Sequence, residues 1–285
     1  MSSSRIRLWP AAGQVAIALA LLLAFGLLTR TTAAQQQGAA AGQRKATLTP
    51  KAGALIDLTG YWVSIIDDEW RWRMMTPPKG DFSFVPLNAE GRRVAGLWDP
   101  AADEAARNQC KAYGAAGIMR LPERLHITWV DDNTLQIDID AGMQKRLLHF
   151  DGSKWDGGEP KWQGDSVASW EKQAQSSGFG RPVAGATPPQ GGSLKVVTTH
   201  MSPGYLRKNG VPYSGNAALT EYFDRLDVDG EAYLIVTGIV EDPHYLSGRF
   251  MTTEQFKLEP NGSKWNPTPC KTAPPTRAPA RAGGL

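Results

Sequence analysis

The sequence predicts a mainly β protein, an antiparallel barrel or barrel-like sandwich of about ten strands with one short helical insertion. Three observations lead there. Apolar residues recur with a period of two over most of the chain from 54 to 270. Short turn pairs, Asp132-Asn133, Ala141-Gly142 and Asp229-Gly230, separate several of the runs. A helical pattern with its own N-caps occurs in one stretch only.

Taken in order, the first run is TGYWVSII, from Thr59 to Ile66. EWRWRM, from Glu69 to Met74, reads as a second strand, with Trp70 and Trp72 on one face and Arg71 and Arg73 on the other. With the tryptophans inward, Trp62 and Trp70 floor an apolar pocket. Arg71 and Arg73 then lie outward or at its mouth, within reach of Asp67, Asp68 or an anionic ligand group. The helical insertion spans 88–110, where Asn88 caps one helix and Asp99, followed by Pro100, caps another. LHITWV, TLQIDID and MQKRLLHF follow as an antiparallel meander, and SVASWE adds a short strand. SLKVVTTH, ALTEYFDRL, EAYLIVTGIV and RFMTTEQFKL complete the set, with Asp229-Gly230 as a hairpin turn. DGSKW at Asp151 and NGSKW at Asn261 are an internal echo that two similar strand exits explain more simply than duplication.

The ends of the chain carry the address. Arg5 and Arg7 precede an apolar run from Val15 to Leu28, and TRTTAAQ offers small residues for cleavage after Ala34. The run is shorter than the ~20 residues a spanning helix needs, so 1–34 reads as a secretory signal with no stable membrane insertion after cleavage. The expected location is periplasmic or extracellular. Removing three arginines with the signal leaves 28 Lys plus Arg (31 less 3) against 28 Asp plus Glu, so nucleic acid is not an expected partner. Residues 35–53 read as a flexible leader, 54–270 as one domain, 175–192 as a long loop and 271–285 as a disordered Pro-rich tail. In an oxidising compartment Cys110 and Cys270 read as a disulfide closing a loop of ~160 residues, stabilising by roughly 3 to 5 kcal/mol in the chain-entropy model.

DLTGYW opens the first strand with a Gly-x-Trp motif that resembles the start of a lipocalin-type (calycin-type) barrel. QCKAYGAAGIMRLPERLHI, WQGDSVASWE, SPGYLRKNGVPYSGNAALTEYF and VEDPHYL are similar to stretches of a group of exported bacterial proteins with a lipocalin-like strand pattern. The resemblance implies a lipocalin-like domain over most of the mature chain and brings no chemistry with it.

The residues nominate sites sparingly. There is no Gly-x-Ser-x-Gly elbow, phosphate loop or His-Glu-x-x-His pair, the four histidines have no metal-ligand spacing, and no cofactor or metal is expected. His126 lies opposite the apolar face of Leu125, Ile127 and Trp129, facing either solvent or a wet barrel interior. GYLRKNGVPYSGNAALTEYF is the strongest working segment, a long turn bearing Tyr205, Arg207, Lys208 and Tyr213 that leads into Glu221 and Phe223 on one face and Thr220 and Tyr222 on the other. The expected ligand contacts are therefore Trp62, Trp70, Arg71, Trp72, Arg73, Trp129, Tyr205, Arg207, Tyr213 and Tyr222. Three functions stay open. The first is a non-catalytic exported protein binding a small, partly apolar molecule in an aromatic-lined cavity. The second is an enzyme doing acid/base chemistry there through His126, Glu221 and a Tyr. The third is a cell-envelope interaction protein using its tail or a strand edge.

Overall fold

The structure, a computed structural model, describes residues 48–172, 191–272 and 274. The signal segment 1–34, most of the leader, most of the 175–192 loop and nearly all of the tail lie outside the described residues. The part of the leader that is described, residues 48–53, includes a turn whose Pro50 carbonyl accepts a hydrogen bond from Trp170 Nε1 at 2.8 Å.

Nine strands close into a barrel. In chain order they are β1 (Gly60–Ile65), β2 (Arg124–Trp129), β3 (Thr134–Ile139), β5 (Gln144–His149), β6 (Asp165–Lys172), β7 (Gly192–Thr199), β10 (Ala218–Val228), β11 (Glu231–Glu241) and β12 (Phe250–Glu259). Each pairs with the barrel strand before it in sequence, and β12 closes the ring on β1. Two pairs lie outside the ring: β4 (Ala141–Gly142) with β13 (Thr268–Pro269), and β8 (Gly204–Arg207) with β9 (Val211–Tyr213).

An odd ring cannot alternate direction all the way round. The expected all-antiparallel sheet is therefore corrected at one seam, where β5 and β6 run parallel through Leu148↔Ser166 and His149↔Val167 alone. A parallel connection must return the chain to the starting end, which takes a dozen or more residues. Residues 150–164 make that crossover along the barrel's outside. Gly164 turns the chain into β6 at φ +60°, and a Cβ there would stand 2.4 Å from the Thr199 carbonyl, so glycine is required.

Alternate buried residues of the strands fill the interior in two storeys. The apolar storey includes Trp62, Ile127, Ile137, Leu194, Phe223 and Phe256, each almost fully buried. Burying each such side chain is worth about 1.5–3 kcal/mol. The other storey carries Arg146, Ser166, Thr198, Glu221 and Glu254 on the same inward register, joined by Glu123 just before β2. A second apolar cluster, including Leu87, Ala95, Met201, Leu206 and Tyr213, packs the excursions beyond the barrel.

The helical stretch forms α2 (Ala89–Gly96) and α3 (Pro100–Ala105), capped by Asn88 Oδ1 on Gly91 N at 2.8 Å and by Asp99 Oδ1 on Ala101 N at 2.9 Å. A 3₁₀ turn (Gln109–Tyr113) and α4 (Ala115–Ile118) follow. Cys110 lies in that 3₁₀ turn at disulfide distance from Cys270, with Sγ atoms 2.06 Å apart. The bond ties the helical excursion to the chain leaving β13.

EWRWRM is not a strand. β1 stops at Ile65, and the three consecutive acids Asp67, Asp68 and Glu69, of types depleted in strands, lead into a one-turn helix, α1 (Trp70–Arg73). Glu69 opens it at φ 45°, a conformation non-glycine residues seldom adopt. Helical spacing breaks the expected two-sided pattern. Arg73 turns inward at 2 % exposure while Trp70 stands out at 59 %, which reverses the expected faces of these two residues.

Candidate functional site

The charged storey is closed by its own partners. Arg146 meets Glu221 through two hydrogen bonds of 3.0 and 2.5 Å, and the nitrogen that makes the shorter one also donates to Thr198 Oγ1 at 3.2 Å. Thr198 in turn shares a hydrogen bond of 2.8 Å with Ser166. Glu254 lies 2.9 Å from Arg73 and 3.4 Å from Arg120. Arg73 also reaches Asp68 at 2.9 Å, and Arg120 reaches Glu69 at 2.5 Å. Glu123 differs from these, because neither carboxyl oxygen has a hydrogen-bond partner. Burial, reinforced by the nearby Asp140 and Glu254, holds its pKa well above the usual carboxylate range. The gap bordered by Arg120, Glu221 and Glu254 measures about 20 Å³, room for roughly one water.

The expected ligand contacts are not gathered into one cavity. Trp62 is in the apolar storey, its Nε1 donating to the Leu58 carbonyl at 2.9 Å. Trp129 packs on Phe150 at 5.5 Å between ring centres. Tyr213 belongs to the second apolar cluster, and Tyr222 lies on β10's other face beneath Lys195. Arg71 pairs with Asp81 at 3.1 Å, and Tyr205 donates to Asp103 at 2.7 Å. Trp72 and Phe250 bracket the Arg207 guanidinium at 5.1 and 5.9 Å. Burial, with Arg120 alongside, lowers the Arg207 pKa to about 10. His126 faces outward, stacked on Tyr61 at 4.0 Å, whereas Glu221 points into the barrel, so the two suggested acid/base residues lie on opposite sides of the wall.

The RKN of the long turn does structural work. Arg207, Lys208 and Asn209 donate to the carbonyls of Ser83, Arg73, Pro78 and Asp81 at 2.7–3.1 Å. These bonds hold the 73–83 segment against β8 and the turn after it. Further along, Ser214 donates to Asp242 through both backbone and hydroxyl, at 2.7 and 2.8 Å, which joins YSGN to VEDPHYL.

A ligand-sized opening exists outside the barrel. It is a groove of about 810 Å³ along the parallel seam. The outward residues of β5, Lys145, Leu147 and His149, form one side, and the crossover forms the other. The crossover is anchored near both ends. The Asp165 carboxylate accepts from Ser153 Oγ and, at 3.0 Å, from Lys154 N; further on, Ser202 donates to the Lys161 carbonyl at 2.9 Å. Between the anchors stands Trp155, 45 % exposed, with its ring stacked on His200 at 3.8 Å and its Nε1 donating to the Gly158 carbonyl at 3.2 Å. His200 holds a left-handed φ of 55° and shares a hydrogen bond of 2.8 Å with Thr199 Oγ1. Backbone strain of this kind persists where surrounding contacts over-determine it, and it concentrates at functional positions.

Two polar atoms at the groove lack partners. Gln163 donates through Nε2 to the Tyr113 carbonyl at 2.7 Å and to Gln144 Oε1 at 3.1 Å, which fixes its amide and leaves its buried Oε1 without a donor. His149 Nδ1 is likewise buried and unpartnered. Beyond Gln144 and Lys145 the groove meets a second hollow of about 340 Å³, walled by the Tyr61–His126 stack and by Trp265. Among the described residues no cluster of His, Cys, Asp and Glu could hold a metal ion, and no helix is long and apolar enough to cross a membrane.

No family model, curated protein or solved structure matches this chain. Trp155, His200, His149 and Gln163 were not among the residues nominated from sequence. The available signal was the DGSKW echo, which puts a tryptophan among turn formers where no strand pattern could bury it.

Proposed function

We propose that this is an exported, lipocalin-like binding protein that holds a small, partly apolar molecule in the groove outside its barrel rather than within it. One observation carries the reading: an aromatic shelf borders a ligand-sized groove, while the interior is filled by side chains and matched charges. Sites of this kind combine an apolar surface with a few placed polar groups. The meander order of the barrel strands and the Gly-x-Trp opening, whose Trp62 is buried in the interior, support the lipocalin-like comparison. Export is supported by the pattern of residues 1–34 and by the cysteine pair.

Mass spectrometry of small molecules released from the exported protein tests the reading. Wild-type protein is expected to carry one that Trp155→Ala protein has lost. A molecule retained equally by both proteins would contradict the groove as its site.

A further inference from the structure

We propose that the groove's ligand is a neutral oligosaccharide. This rests on the groove being the binding site, as argued above, and adds the chemical class of the occupant. Four features of the seam point to it.

Trp155 offers a flat, half-exposed ring steadied by His200, the kind of surface on which the C–H face of a sugar ring packs. The groove is open along one side, so an apolar ligand could not bury the 70–90 % of its surface that tight apolar binding uses. A hydroxylated ligand can leave one side in water.

The charges on the walls argue for neutrality. Lys145, Lys154 and Lys161 are matched by Asp156, Glu159 and Asp165. Lys154 is already paired with Asp151 at 2.8 Å, and Lys145 lies 3.7 Å from Asp138. A groove built for phosphate, sulfate or uronate would show an excess of one sign.

Length follows from the second hollow. Tyr61, His126 and Trp265 form another aromatic wall on the far side of Gln144 and Lys145, residues that border both openings. A chain of several sugars can touch Trp155 at one end and Trp265 at the other. A single sugar cannot.

The test is a glycan array followed by calorimetry on the full mature chain. It uses neutral oligosaccharides of one to six units, sulfated and uronate-containing glycans, and the uncharged apolar dye N-phenyl-1-naphthylamine as a separate arm. The expected result is binding of neutral glycans that tightens with length, falls at least tenfold in Trp155→Ala and recovers in Trp155→Phe. Trp265→Ala should weaken the long glycans while leaving the short ones alone. Preference for the anionic glycans, or neutral binding indifferent to Trp155→Ala, would overturn the proposal. Dye binding lost in Trp155→Ala with no glycan bound at millimolar concentration would overturn the saccharide and keep the groove. No binding in any arm would overturn both.

Discussion

Inside the barrel Arg146 has Glu221, and Glu254 sits between Arg73 and Arg120, so charged groups there find opposite charges on the same chain. At the seam outside, Gln163 Oε1 and His149 Nδ1 have no partner and Trp155 lies half in water. Both regions place polar groups beside aromatic and aliphatic side chains. They differ in whether those groups are buried against opposite charges or stand at an opening. The interior is filled and charge-matched by folding, so its charges fix how the segments entering the barrel end sit, whereas the groove keeps an aromatic surface that a second molecule can cover. Glu123 inside has neither oxygen bonded, and its burial raises its pKa well above the usual carboxylate range.

The largest expected effect strikes the interior. Glu254→Ala leaves Arg73 and Arg120 buried against each other, and breaking a buried pair in this way costs about 3–5 kcal/mol. Urea unfolding should show a loss near the lower figure, because Asp68 and Glu69 still reach these arginines from the rim. A loss under about 1 kcal/mol would mean that the storey is not held by Glu254.

Next comes the cysteine pair. Replacing both Cys110 and Cys270 by Ser should lower stability by about 2–4 kcal/mol, with amide exchange quickening first in the 3₁₀ turn at Gln109–Tyr113 and at Thr268–Pro269. Uniform quickening across the barrel strands would show that the bond does not act locally.

A smaller, pH-dependent effect separates Glu123 from its paired neighbours. Its folded pKa is raised, so the folded state binds the proton more tightly than the unfolded chain. Its contribution is complete below the ordinary glutamate pKa and declines as pH rises toward the folded value, by about 1.4 kcal/mol per pH unit at most. Glu123→Gln should match wild type at pH 4 and be the more stable protein at pH 8. Equal stability of the two proteins at both values would mean that Glu123 ionises in place.

The smallest expected change in stability belongs to the groove. Trp155→Ala should cost only about 1 kcal/mol, because it forfeits the stack on His200 and the bond to the Gly158 carbonyl and nothing in the barrel. The two regions would then separate by which property dominates, stability for Glu254→Ala and binding for Trp155→Ala.

Most of the barrel was legible because alternation is a local signal. In EAYLIVTGIV every second residue from Ala232 to Val236 is buried, and Ala232, Leu234 and Val236 face the core as their spacing implies. Alternation could not show that Arg146 and Glu221, far apart in sequence, meet inside, because an inward charge breaks the pattern unless its partner is known. EWRWRM misled for a related reason. Its period-two pattern satisfied the strand rule, but Arg73 is drawn in by Glu254 on β12, far away in sequence. The parallel seam needed the strand count around the closed ring, which no single segment contains. The groove depends on that seam, so its residues lay beyond local reading.

The most direct test of the central claim, that the ligand sits outside the barrel, is to follow the tryptophan indole N–H resonances during titration. The titrant is the co-purified molecule or, where none is recovered, the neutral oligosaccharide that binds best. The account predicts a saturable shift of the Trp155 signal, lost in Trp155→Ala, with the Trp62 signal unmoved because its N–H stays bonded to the Leu58 carbonyl. A saturable shift at Trp62 with Trp155 unchanged would place the ligand inside the barrel and contradict it.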